Sequence, residues 1–206
     1  MISVVIPAYN EGKNIGRVLE SLKKIKNINE IIVVNDGSSD DTKDQALKYN
    51  VKLINLNINT GKGNTVKIGI ENASGDIIVL LDADLVGLTE THFNNLVYPV
   101  LNNKADMTVG IFSSGRTFTD LAQKVAPFLS GQRAIRKSVL GDLKKLEFTN
   151  FGVEIALNKL AKENNWKVEN ILLENMTHIM KEEKLGFFKG FKARMKMYYD
   201  IIRMWI

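Results

Sequence analysis

From its first residue the chain alternates short, continuous apolar runs with stretches whose apolar residues recur every three to four positions. Ile2–Ile6, Ile31–Val34, Val51–Leu56, Ile77–Leu81 and Met107–Ile111 read as strands, and Lys13–Ile25, Asn64–Ala73 and Glu90–Leu101 as helices between them. Strands that are apolar at every position are buried on both faces, and helices between successive strands supply the cover. This predicts an α/β fold with a mostly parallel sheet flanked by helices. Beyond Ser113 the alternation weakens: Asp120–Leu129 and Gly152–Ala161 read as helices, Ser130-Gly131 as a break and Lys167–Leu173 as a strand. With three prolines in 206 residues and no Pro/Gly-rich linker, nothing marks a boundary, so a single domain spans 1–206.

Composition narrows the function classes. No apolar run approaches the roughly 20 residues of a membrane span. The absence of cysteine excludes disulfides, thiolate zinc sites and thiol catalysis, and fits the cytoplasm. The net charge is +5, but residues 181–206 hold seven Lys/Arg against three acids, so the remainder is close to neutral. A general nucleic-acid surface is therefore not expected.

In open α/β sheets, ligands bind beyond the carboxyl ends of the strands. Three polar clusters fall there: Pro7-Ala8-Tyr9-Asn10-Glu11, Asn35-Asp36-Gly37 and Asp82-Ala83-Asp84. Carboxylates that follow buried strands are costly unless a positive group meets them, and two oxygens spaced like Asp82 and Asp84 suit a hard divalent cation that also binds phosphate. Asp40-Asp41-Thr42 reads more simply as a helix cap.

Val5-Ile6-Pro7-Ala8-Tyr9-Asn10-Glu11, Val33-Val34-Asn35-Asp36-Gly37-Ser38-Ser39-Asp40, Asn59-x-Gly61-Lys62-Gly63 and Leu81-Asp82-Ala83-Asp84 occur in the order and spacing of family 2 glycosyltransferases. The resemblance covers roughly residues 2–135 and implies the nucleotide-diphospho-sugar transferase (GT-A) fold. It implies that residues 1–112 form a nucleotide-sugar-binding half and 113–185 an acceptor half. It further implies a donor pocket of Pro7, Ala8, Tyr9, Glu11, Asp36, Lys62, Asp82, Ala83 and Asp84, with Asp36 on the base or ribose and Asp84 on Mg²⁺ or Mn²⁺. For Lys62 the alternative is a surface lysine. Asn35 stands where many relatives carry an acid.

Ser130-Gly131-Gln132-Arg133-Ala134-Ile135-Arg136-Lys137 resembles the Ser-Gly-x-Arg block of dolichyl- and polyprenyl-phosphate sugar transferases. This implies acceptor binding by Gln132, Arg133 and Arg136, whose guanidinium forks suit a phosphate, with Arg133 counted among the catalytic residues. The other reading of Arg136-Lys137 is a solvated helix start. Phe151-Gly152-Val153-Glu154-Ile155 resembles the glucosyl-phosphoglycerate synthases. Glu154 is then a general base or, equally, a first-turn acid favoured by the helix dipole. The resemblance also implies His178 as a second metal ligand; taken alone, a lone histidine reads as structural.

Gly186–Ile206 reads as a basic amphipathic helix rich in aromatics, the pattern of an interfacial anchor, of a helix packed on the sheet or of a dimer contact. The implied reaction is metal-dependent transfer, with inversion, of a sugar from a UDP- or GDP-sugar to a polyprenyl phosphate or other lipid, by an enzyme peripheral to the inner face of the membrane. Transfer to a soluble phosphorylated small molecule, with retention left open, is the alternative. A nucleotidyltransferase of related fold or a non-catalytic binding protein would fit less of the pattern, because Pro7–Glu11 replaces a triphosphate loop and Asp82 and Asp84 are both present.

Overall fold

The computed structural model describes residues 1–113, 130–141, 143 and 152–179. The expected helix at 120–129 and the basic segment 186–206 lie outside these residues. The order is β1 (Ile2–Ala8), α1 (Ile15–Leu22), β2 (Glu30–Asp36), α2 (Thr42–Ala46), β3 (Lys52–Leu56), α3 (Lys62–Glu71), β4 (Ile77–Leu80), β5 (Leu85–Val86), α4 (Glu90–Leu101) and β6 (Met107–Ser113). It continues with β7 (Arg133–Arg136), α5 (Val153–Glu163), β8 (Val168–Glu174) and β9 (Thr177–His178).

Seven strands form one sheet in the order β3-β2-β1-β4-β7-β6-β8, and β5 pairs with β9 separately. All pairings in the large sheet are parallel except those of β7, which is antiparallel to both β4 and β6. The parity of β1 divides the core. Val4 and Ile6 join Val18, Leu19, Leu22, Phe93 and Val97 on the face covered by α1 and α4. Val5 joins Val66, Ile70, Leu157 and Leu160 under α3 and α5. Two such faces on one strand explain why β1 is continuously apolar from Val4 to Ile6.

Arg136 ends β7 and Lys137 opens a single 3₁₀ turn, Lys137–Val139, so a helix start stands at Arg136-Lys137 but is only one turn long. The strand buries Ala134 in one core and Ile135 in the other, which only an extended segment between two sheet neighbours can do. α4 begins as expected, and His92 closes a capping box: its amide donates to Thr89 Oγ1 and its Nδ1 accepts from the Thr89 amide, both at 3.3 Å.

At the amino ends of the strands, Glu30 accepts from Ser3 Oγ at 2.5 Å, the Ser74 amide at 2.6 Å and Ser74 Oγ at 2.7 Å. Burial pushes this carboxyl up, but the three hydrogen bonds and the charge of Lys52 outweigh that and hold it below its ordinary value of 4.5. A carboxyl depressed in the folded state contributes stability above its unfolded pKa, and that stability is lost as pH falls through the folded value. Glu30→Gln is therefore expected to lower Tm at pH 7, and thermal melts should show the difference shrinking as pH falls below 4.5. A difference that persisted undiminished to pH 2 would contradict the account.

Candidate active site

The carboxyl ends of β1, β2 and β4 open on the same side of the sheet, where the amino end of antiparallel β7 also arrives: Arg133 pairs with Leu80, the last residue of β4. Arg136 pairs with Ile77 at the opposite end. There it donates to the carbonyls of Val100 and Ala105 and lies 3.7 Å from Asp106. The structure thus does not bring Arg136 to the site, because a strand of four residues carries it to the far edge of the sheet.

The loops after β1 and β2 are knitted together. The Asn10 amide donates to Ser38 Oγ, and Asn10 Oδ1 accepts from the Ser39 amide, each at 2.9 Å. Asn10 takes a φ of 55°, a left-handed conformation that asparagine tolerates. Asp40 accepts from the Gly12 and Thr42 amides at 3.0 Å and so ties the approach to α2, whose N-cap is Asp41, to the β1 loop. Asn35 is buried; it donates to Asn55 Oδ1 at 2.7 Å and accepts from Ser38 Oγ at 2.5 Å. Around this frame Tyr9 is half-exposed, Ala8 is buried and Glu11 Oε2 accepts from Asn14 Nδ2 at 2.8 Å.

Asp36 turns inward. Its Oδ1 accepts from the Thr60 amide and hydroxyl at 2.8 Å, and its Oδ2 from the Gly61 amide at 3.0 Å. Only 3% of the residue is exposed. In this structure Asp36 holds the turn into α3, which Gly61 enters at a φ of 91°, and so aims Lys62.

Lys62 is the hub of the site. Its Nζ donates to Asp82 Oδ1 at 2.8 Å and to Glu154 Oε1 at 2.7 Å, joining α3, the segment after β4 and the first turn of α5. Asp82 Oδ2 accepts from Gln132 Nε2 at 2.7 Å, and Gly131 packs so closely that an added Cβ would lie 2.7 Å from that oxygen. Pro7, Lys62, Asp82, Gly131, Arg133 and Glu154 line a small cleft. Burial opposes charge on Lys62, but the two carboxylates more than reverse it and keep the ammonium charged well above the ordinary lysine range. Burial likewise pushes Asp82 up, while the charge and hydrogen bond of Lys62, the Gln132 amide and the nearby His178 bring it below its ordinary value.

Arg133 is fully buried. Its Nε donates to the Ser130 carbonyl at 3.1 Å and its Nη1 to Asn158 Oδ1 at 2.8 Å. Burial pulls its pKa down to about 10, against the opposing charge of Glu154. A guanidinium buried in the wall of the cleft ties β7 to α5. Asn158 was not anticipated; nothing in its sequence neighbourhood marks it.

Ala83 is buried in the core under α1 and α4, so its side chain is not at the site. Asp84 is partly exposed. The β5–β9 pairing sets His178 opposite Leu85, and the Ile179 amide donates to the Asp84 carbonyl at 3.3 Å. Asp84, in the turn before β5, and His178, on β9, bring one carboxylate and one imidazole to neighbouring backbone positions; the carboxylate would suit Mg²⁺ or Mn²⁺, and among the described residues no third acid or histidine completes a cluster. Such an ion would draw its other oxygens from phosphate and water, as Mg²⁺ does in phosphate-handling sites. The residues present fit that ion.

Residues 3–141 match the family model "Glycosyl transferase family 2". A dolichyl-phosphate beta-glucosyltransferase of Trichomonas vaginalis is 34% identical over 60% of this chain. An uncharacterized protein of Methanocaldococcus jannaschii is 30% identical over 95% of this chain and 90% of its own length. The chain spans 29%, 30% and 42% of the lengths of three curated relatives it matches, that glucosyltransferase being the third. Glucosyl-3-phosphoglycerate synthase of Mycobacterium tuberculosis, solved with Mn²⁺, UDP and glucosyl-3-phosphoglycerate, superposes with a TM-score of 0.71 at 26% identity, covering 87% of this chain and 72% of that one. The same enzyme has been solved with Mg²⁺ and UDP.

Proposed function

The chain belongs to glycosyl transferase family 2, and on that premise we propose that it moves the sugar of a nucleoside diphosphate sugar, a UDP-sugar first, to an acceptor hydroxyl beside Glu154. The observation that carries this reading is the position of Lys62 Nζ, within 2.8 Å of both Asp82 and Glu154 at the ligand end of the sheet. One carboxylate belongs to the segment that leads to Asp84, the other to the acceptor half, and a single cation holds them together. Glu154 takes the acceptor proton as the acceptor oxygen attacks the anomeric carbon, and the bond from that carbon to the diphosphate oxygen breaks. A single displacement inverts the anomeric centre. Asp84 and His178 would hold Mg²⁺ or Mn²⁺, which when bound neutralises charge on the departing diphosphate. Lys62 supplies a fixed positive charge to the same region.

A lipid-phosphate acceptor is the second reading, favoured by the dolichyl-phosphate glucosyltransferase relatives. It would need no base, and it would use the aromatic, basic stretch 186–206 at a membrane surface. Glu154 at the cleft supports the hydroxyl, and Arg136, carried to the opposite end of β7, gives a phosphate no second guanidinium there. Among the described residues no helix is long and apolar enough to cross a membrane.

Calorimetric titration with UDP, GDP, UDP-glucose and GDP-mannose, in Mn²⁺ and then in EDTA, tests the donor half. Selective, metal-dependent binding of one nucleotide sugar is expected. Binding of nucleoside triphosphates with no response to any nucleotide sugar would sink the reading and favour nucleotidyl transfer. Turnover with 3-phosphoglycerate against turnover with a short polyprenyl phosphate separates the two acceptor classes.

A further inference from the structure

Asn158 sits one helical turn beyond Glu154 on α5, so the two side chains are neighbours on that helix. Its Oδ1 accepts from Arg133 Nη1 at 2.8 Å, and Arg133 Nε donates to the Ser130 carbonyl at 3.1 Å. Between Ser130 and Arg133 lie Gly131, packed on the Asp82 carboxylate, and Gln132, which donates to it at 2.7 Å. A planar, fully buried cation thus joins the loop that grips Asp82 to the helix that presents Glu154. Lys62 ties the same two carboxylates from the other side. The cluster is braced twice, once through Lys62 and once through Arg133.

We propose that Asn158 is a positioning residue which, through Arg133, fixes the Glu154 helix against the Asp82 loop and so sets the donor-side carboxylate relative to the acceptor-side one. This rests on the reading of Glu154 and Asp82 given above. Asparagine suits the task because its carbonyl oxygen accepts from the guanidinium at 2.8 Å, a role that any side chain with an oxygen at that place can fill.

The test compares the wild-type chain with Asn158→Leu and Asn158→Asp, read as nucleotide released from UDP-glucose or GDP-mannose in Mn²⁺ with 3-phosphoglycerate or a short polyprenyl phosphate as acceptor. Asn158→Leu is expected to lower kcat by roughly ten- to a hundredfold, the cost of a loosened reacting geometry, while the donor KM stays within about twofold. Asn158→Asp, which still accepts from Arg133, is expected to recover most of the loss. Glu154→Gln should cost less in the Asn158→Leu background than in the wild type, because coupled residues do not add. A role in packing alone predicts a lower Tm with an unchanged kcat measured well below it, and that result would overturn the inference. So would an Asn158→Asp variant as impaired as Asn158→Leu. If Asn158→Leu does not fold, Asn158→Ala decides in its place. A wild-type chain that turns over neither donor overturns the functional reading and this inference with it; an active wild type matched by Asn158→Leu overturns the inference alone.

Discussion

Lys62→Met is expected to reduce kcat/KM by about a hundred- to a thousandfold, the range seen when one fixed charge is removed from a reacting site. The substitution keeps most of the side-chain volume and deletes the ammonium that lies 2.8 Å from Asp82 and 2.7 Å from Glu154. Two carboxylates are then left together without their cation. Removing one partner of a fully buried pair costs about 3–5 kcal/mol. The Lys62 side chain is 31% exposed, and solvent screening brings the expected loss to the order of 1–2 kcal/mol. Thermal melts should register that as a drop of several degrees.

The pH profile gives a further check. Lys62 holds Asp82 below its ordinary value, so without it that carboxyl takes up a proton at higher pH. The acid limb of the rate profile should move toward neutrality in Lys62→Met. Lys62→Arg, whose fork can still reach two carboxylates, is expected to recover stability and part of the rate. A Lys62→Met variant with wild-type kcat/KM would remove Lys62 from the mechanism.

The second large effect concerns Asp84. Asp84→Ala is expected to weaken nucleotide-sugar binding in Mn²⁺ by at least about a hundredfold, because a hard cation loses its carboxylate and the diphosphate loses its bridge to the protein. Circular dichroism should show the fold retained, since Asp84 is partly exposed and outside the seven-stranded sheet. The sharper signature is that Mn²⁺ and EDTA titrations of the variant should coincide. His178→Ala, which leaves the carboxylate in place, should give a smaller loss of the same kind. Donor affinity in Asp84→Ala that still depended on Mn²⁺ would refute the assignment.

The parallel part of the fold was legible because its causes are local. A strand buried on both faces shows a continuous apolar run, as Val4–Ile6 of β1, Ile31–Val34 of β2 and Ile77–Leu80 of β4 do, and a helix that covers one face shows its stripe at 3.6-residue spacing, as Ile15, Val18, Leu19 and Leu22 do. The strand-end clusters were legible for the same reason: where such a run stops, the next residues face the ligand end. The structure bears out the α/β sheet, and the family match bears out the resemblance.

The order of the elements and the carboxylates at their ends can thus be read from the residues alone. The direction each side chain takes was decided by tertiary contacts. β7 has two apolar residues between arginines, too short a run to show a period, and it becomes a strand because β4 and β6 leave a slot beside them. Arg133 and Arg136 look alike in sequence, and the three-residue span between them sends one into the wall of the cleft and the other to the far edge of the sheet. Asp36 reads as a ligand group, yet the Thr60-Gly61 turn takes its carboxylate. Lys62 and Glu154 are 92 residues apart, and no local pattern announces their contact. Propensity and periodicity act over a few residues, whereas a buried charge goes wherever the folded chain supplies a partner, and that partner exists only once the sheet has assembled.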